Sequence, residues 1–157
     1  MPDPDPRSRP PVPPRPAPRL GGSALAWGER LAPLSALVLA ISAFTDWYAG
    51  QQGDGLVLSV TGWHTGVLGK LVFWIGLIVL LLYIAQEWFD IEPPASVPAS
   101  LVLIALGSLA TIFVLIRLIS IPDTFFGTAG RGIGLFISLV AALAMIASGL
   151  LRAAEEL

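Results

Sequence analysis

The chain has no cysteine, a single histidine and few charges, with only 13% of its 157 residues being Asp, Glu, Lys or Arg. Each shortage removes a class of chemistry. Without cysteine there is no disulfide, no thiolate metal site and no cysteine nucleophile, while the redox character of the compartment stays open. The lone imidazole, His64, excludes a histidine-rich metal site, and a mixed site would have to recruit Asp46 and Asp54. A net charge of −2 gives no case for nucleic acid, because the only basic cluster sits in a proline-rich tail. The scarcity of charge also argues against an ordinary soluble domain. With 55% hydrophobic residues and a mean hydropathy of +0.78, the chain lacks the polar surface needed to cover a core in water, so lipid must cover it.

What the sequence does contain is organised as a tail and four apolar runs. The opening MPDPDPRSRPPVPPRPAPRL is dense in proline and punctuated by Arg7, Arg9, Arg15 and Arg19. It is expected to be disordered over residues 1–22, partly as polyproline II, and to serve as a cytoplasmic spacer or tether. The pairs Pro10/Pro13 and Pro13/Pro16 have the spacing of PxxP ligands, which any tail so rich in proline contains by chance. Residues 23–157 then form the membrane domain, with spans over 31–48, 66–86, 99–121 and 132–151. Each is close to the ~20 residues that cross ~30 Å of hydrocarbon as a helix, and none alternates like a barrel strand. The expected fold is an all-α membrane protein: a four-helix transmembrane bundle with a short exterior β-hairpin between spans one and two. The weak first span and its basic leader also allow a signal peptide with a cleavage site at Ala40-x-Ser42, but cleavage would remove a helix that the bundle needs.

Arg7, Arg9, Arg15, Arg19 and Arg30 precede span one and Arg152 follows span four, which assigns both termini to the cytoplasmic side of the cell membrane. Trp27 and Trp88 then serve as inner interface anchors, and Trp47, Tyr48 and Trp63 as an outer aromatic belt. The outer loop, 49–65, carries AGQQGDG followed by the β-branched LVLSVT, hence the hairpin. The inner loop EWFDIEPPASVP is a compact acidic turn.

Several patterns invite a site. Gly130, Gly134, Ser138 and Ala142 are spaced four apart, as are Gly107 and Thr111, and Ala36, Ala40 and Ala43 line span one. Such small faces serve packing inside the bundle or, alternatively, a protein partner. GRGIG follows no strand and lacks the lysine-serine or lysine-threonine ending of a phosphate loop. Ser59, His64 and Asp46 supply a formal triad with no nucleophile-elbow sequence around the serine. The most informative group is Asp46, Lys70, Arg117 and Arg131, four ionisable residues that antiparallel packing brings to one level. Unpaired charge in lipid costs ~2.5–3.5 kcal/mol, so Asp46 is expected to pair with Arg117 or Lys70 as a clamp. The alternative is an outer site for an anion or lipid headgroup.

The segments SAFTDWY, TGWHTGVLGKLVF, FVLIRLISIPD and GRGIGLFISLVAAL, in this order, resemble a family of uncharacterised four-span integral membrane proteins of actinobacteria. In that family the residue after the loop tryptophan is often acidic, so His64 departs from the pattern. The resemblance implies a four-helix membrane protein with no established activity. The layout also resembles claudin-type proteins, without the paired loop cysteines. The expectation is thus a non-enzymatic protein with no cofactor or metal. It would contact membrane lipids and, through the tail or the small-residue faces, protein partners of the envelope. The alternative is a transport accessory or small transporter using the charged cluster, although spans two and four carry no ionisable residue at mid-membrane.

Overall fold

A computed structural model describes residues 22–51, 57–89, 97–120 and 129–156. The tail with its PxxP pairs, the hairpin tip containing Asp54, and the central part of the acidic inner loop lie outside the described residues. The elements run α1 (Gly22–Ser42), β1 (Asp46–Gln51), β2 (Val57–Thr61), a 3-10 turn (Gly62–Thr65), α2 (Val67–Phe89), α3 (Ala99–Ile119), β3 (Ala129–Arg131) and α4 (Ile133–Glu156). Each helix packs on its neighbours in the chain, and α4 closes the ring against α1. The connection is therefore up-down-up-down. One end of the bundle gathers the three strands; the other holds the start of α1 and the end of α4.

Three helices, α2, α3 and Ile133–Ala154 of α4, are long and apolar enough to cross a membrane. Their outward faces expose large apolar side chains such as Trp74, Leu81, Leu101, Ile112 and Val140. The first run behaves differently from expectation. Span one was expected to continue to residue 48, yet the helix stops at Ser42 and Asp46–Gln51 is a strand. The reason lies in the chain's own donors. Ala43, Phe44 and Thr45 give their N–H groups to the carbonyls of Ala40, Ile41 and Ser42, tightening the last turn. The Thr45 hydroxyl and the Trp47 indole then both donate to the Ser42 carbonyl, at 2.6 and 2.9 Å. With those acceptors occupied the helix has no need to continue.

Pro33 lies inside α1. Proline has no N–H, so the carbonyl four residues earlier, that of Glu29, loses its helical donor. The Tyr83 hydroxyl of α2 donates to that oxygen at 2.8 Å, and the defect becomes an inter-helix tie.

The expected hairpin is present and larger than foreseen. β1 pairs antiparallel with β2, and β3, from the segment before α4, pairs on the other side of β1. Between Asp46 and Tyr48 the register with β2 shifts, so two residues of β1 oppose one of its partner. A regular strand would send Trp47 and Tyr48 to opposite faces; the bulge lets both turn inward. They are 0% and 1% exposed. The expected placement of these two residues in an outer aromatic belt is corrected accordingly: they are core residues of the cap.

Between the helices, close approach replaces hydrophobic drive. A Cβ on Gly76 of α2 would stand 2.8 Å from the Ala36 carbonyl oxygen and the Ala40 nitrogen of α1. One on Gly149 of α4 would stand 2.7 Å from the Ile104 side chain and 3.0 Å from the Ser100 carbonyl oxygen of α3. The stripe of Gly134, Ser138 and Ala142 is buried against α1, the cap and α3, whereas Gly130 belongs to β3. The Ser138 hydroxyl has the Ser42 Oγ and the Gly134 carbonyl oxygen both at 2.8 Å. Gly149→Val is expected to force α3 and α4 apart and to cost about 1–3 kcal/mol by overpacking. The loss is read as a lowered unfolding midpoint on titrating detergent-solubilised protein with a denaturing detergent.

Candidate functional site at the sheet-capped end

A helix that ends inside a membrane protein leaves its last four carbonyls without helical donors. At the end of α3 these belong to residues 116–119, and the cap is built around them. The Ser120 N–H donates to the Ile116 carbonyl at 2.8 Å. The Tyr48 hydroxyl donates to the Arg117 carbonyl at 2.7 Å and lies 3.5 Å from that of Ser120. Arg131 Nε donates to the Leu118 carbonyl at 2.7 Å. A cation at a helix C-terminus also meets the negative end of the helix dipole. Thus β1 supplies one donor and β3 another, and the sheet is fastened to α3 by its backbone acceptors.

The Arg117 side chain points the other way, toward the entry of α2. Its Nη2 donates to the Thr65 carbonyl at the end of the 3-10 turn, and its Nε is buried with no hydrogen-bond partner. Gly66 follows with φ 111°. That is left-handed backbone territory which favours glycine, and a Cβ there would stand 2.9 Å from Arg117 Nη2. The turn therefore owes its shape to Gly66 and its anchorage to Arg117.

Lys70, on the first turn of α2, is exposed, with its ammonium 5.6 Å from the centre of the Trp63 ring. That is cation–π range. Trp63 stacks on Phe44 at 5.6 Å and meets the edge of Phe73 at 5.3 Å, which makes an aromatic cluster at this end. Trp27 and Trp88, at the opposite end, are 72% and 81% exposed.

The structure thus brings Lys70, Arg117 and Arg131 to the end that spacing implied, with Asp46, but joins them differently. Asp46 is exposed, and among the described residues no ion pair links it to Lys70, Arg117 or Arg131. The expected clamp is corrected: two of the cations are held by carbonyls and the third by an indole. Uncapped helix carbonyls are fixed, partly charged acceptors, and satisfying them outweighs an exposed ion pair of ~0–1 kcal/mol. His64 Nδ1 lies 2.9 Å from the Thr61 hydroxyl, and no hydrogen bond joins it to Ser59 or Asp46 among the described residues. Nor do the described residues contain a group of acids and histidine able to hold a metal.

Tyr48 is the functional side chain that sequence reading assigned to the wrong environment. Burial pushes its hydroxyl above the ordinary value of 10.0, against the lowering influence of Arg117 and Arg131. The class this fold defines is a mostly helical protein with a small three-stranded sheet and, among the described residues, three helices long and apolar enough to cross a membrane. The chain matches no protein-family model and no curated relative.

Two outcomes follow from this geometry. Asp46→Ala is expected to leave stability within about 0.5 kcal/mol, as for a surface residue without partners. Arg117→Ala is expected to cost roughly 1–3 kcal/mol through the orphaned Thr65 carbonyl and lost packing. Both are measured by unfolding in detergent, and equal losses would restore the ion-pair clamp. The second outcome concerns pH. The folded protein keeps the Tyr48 proton where the unfolded chain has lost it, so this contribution is complete below about pH 10 and declines as pH rises toward the native value. Tyr48→Phe is expected to lower stability at neutral pH by about 0.5–1.5 kcal/mol. It should also flatten the fall in melting temperature between about pH 9 and about pH 11.

Proposed function

We propose that the protein is a non-enzymatic component of the cytoplasmic membrane, structural or partner-binding in the envelope, and a member of the actinobacterial four-span group it resembles. In this reading α1 is a fourth span, both termini are cytoplasmic and the sheet faces outward. The observation that carries it is the fixed cap. Its arginines and Tyr48 are bonded to backbone carbonyls, which leaves a sheet of set shape with β2 at its edge. Leu58 and Ser59 on that strand are exposed. An edge strand offers unpaired N–H and C=O groups to a partner strand, with alternate side chains giving selectivity. The basic residues before α1 and Arg152 near the end of α4 favour the orientation, and the proline-rich tail is a tether for cytosolic partners.

The competing transport reading uses Asp46, Lys70, Arg117 and Arg131 as an anion or proton path. It has less behind it, because Arg117 and Arg131 are turned onto carbonyls of the cap and Asp46 has no charged partner among the described residues.

A photo-crosslinking residue at Leu58, activated in native membranes, is expected to capture a discrete exterior protein of the envelope. Capture of a transporter or secretion subunit in equal amount would favour the transport reading, and no product at all would remove the partner-binding one. Topology is tested separately, since the sequence has no cysteine. In intact cells Ser59→Cys is expected to react with a membrane-impermeant maleimide and Val97→Cys to stay unlabelled. Labelling at residue 97 overturns the orientation.

A further inference from the structure

The end of the bundle away from the sheet carries a lateral groove. It lies between α2 and α3, has a volume of about 240 Å³, and is walled by Val79 and Leu82 on one side and Val102 and Leu103 on the other. Its polar lining comes from Tyr83, Gln86 and Arg152. The Arg152 guanidinium lies 5.8 Å from the centre of the Tyr83 ring, and no carboxylate pairs with it among the described residues. The Tyr83 hydroxyl is already committed to the Glu29 carbonyl. Ala99, the first residue of α3, also lines the groove. That helix starts after Pro98 without a side-chain cap bond and without an acid in its first turn, so the positive end of its dipole favours an anion there. Glu87 lies in a neighbouring depression along α1, with Arg30 and Leu34, that meets the groove at Tyr83.

We infer that this groove is a binding site for one anionic phospholipid, with an acyl chain between α2 and α3 and the phosphate on Arg152 and the start of α3. Charge complementarity selects the occupant. An apolar trough opening sideways from helices of membrane-spanning length takes a hydrocarbon chain, and a cation with a helix N-terminus at its mouth takes an anion. A protein helix would fill the trough but leave the guanidinium in an apolar contact. The site lies at the end opposite the cluster of Lys70, Arg117 and Arg131, and it stands whether or not the proposed envelope role does.

The test uses the full chain in nanodiscs made from equal parts phosphatidylglycerol and phosphatidylcholine. The protein is then released into mild detergent and the retained lipid is weighed by native mass spectrometry. Wild type is expected to keep phosphatidylglycerol in preference to phosphatidylcholine. Arg152→Gln is expected to lower that retention about fivefold. Ala99→Phe, which fills the trough without changing charge, is expected to abolish it. Equal retention of the two lipids by wild type, or undiminished retention in either variant, overturns the proposal. Should a variant fail to fold, the wild type decides alone: phosphatidylglycerol that survives a wash with excess inorganic phosphate supports a lipid site, whereas displacement by phosphate points to a free-anion site and overturns it.

Discussion

The structure depends on a constraint set by the backbone: where a helix ends, its last carbonyls have no helical donors and must find them elsewhere. At the end of α3 those donors come from Ser120, from Tyr48 on β1 and from Arg131 on β3. The sheet is therefore more than a covering over the bundle. Its strands are fastened to the helix by the carbonyls that the end of α3 leaves without helical donors. The same accounting explains the other end of α1, where Tyr83 supplies the donor that Pro33 lacks.

This shifts what the charged residues are for. In water, Asp46 beside three cations would suggest ion pairing, and spacing alone leads there. Inside a cap, a guanidinium has a better use as a donor to a fixed carbonyl, which it can satisfy without giving up its charge: Arg117 does so through Nη2 and Arg131 through Nε. Lys70, with a single point charge and no carbonyl in place, rests on Trp63 instead. The arrangement accounts for three cations gathered at one end with the carboxylate left exposed.

The long apolar runs were legible, and so were the three helices of membrane-spanning length, because hydrocarbon thickness imposes a length that composition reveals directly. The hairpin was legible from its β-branched strand and turn residues. β3 was not: AGR is three residues long, without β propensity, and becomes a strand only because β1 is already there to pair with it. The end of α1 was missed for a related reason. Apolarity continues through AFTDWY, while the helix is stopped by a threonine hydroxyl and an indole folding back on one carbonyl. The bulge that turns Trp47 and Tyr48 inward together leaves no periodic trace at all. By contrast, the orphaned Glu29 carbonyl could have been read from Pro33 alone, since proline names the acceptor it abandons four residues earlier.

The two ends of the bundle are consequently unlike. At the sheet end, side-chain bonds run from β1 to α3, from β3 to α3 and from Arg117 to the turn before α2. At the opposite end α2 is tied to α1 through Tyr83 and touched by Arg152 of α4. Its seam with α3 is the thinnest between consecutive helices. A four-helix ring held by glycine contacts at the α1–α2 and α3–α4 seams has no comparable close approach to bring α2 onto α3. Small residues permit contact, and where they are missing bulky side chains such as Val79, Leu82 and Val102 hold the helices apart. The groove is thus a direct result of where the glycines fall, and it opens at the end where Arg152 and the start of α3 place positive charge.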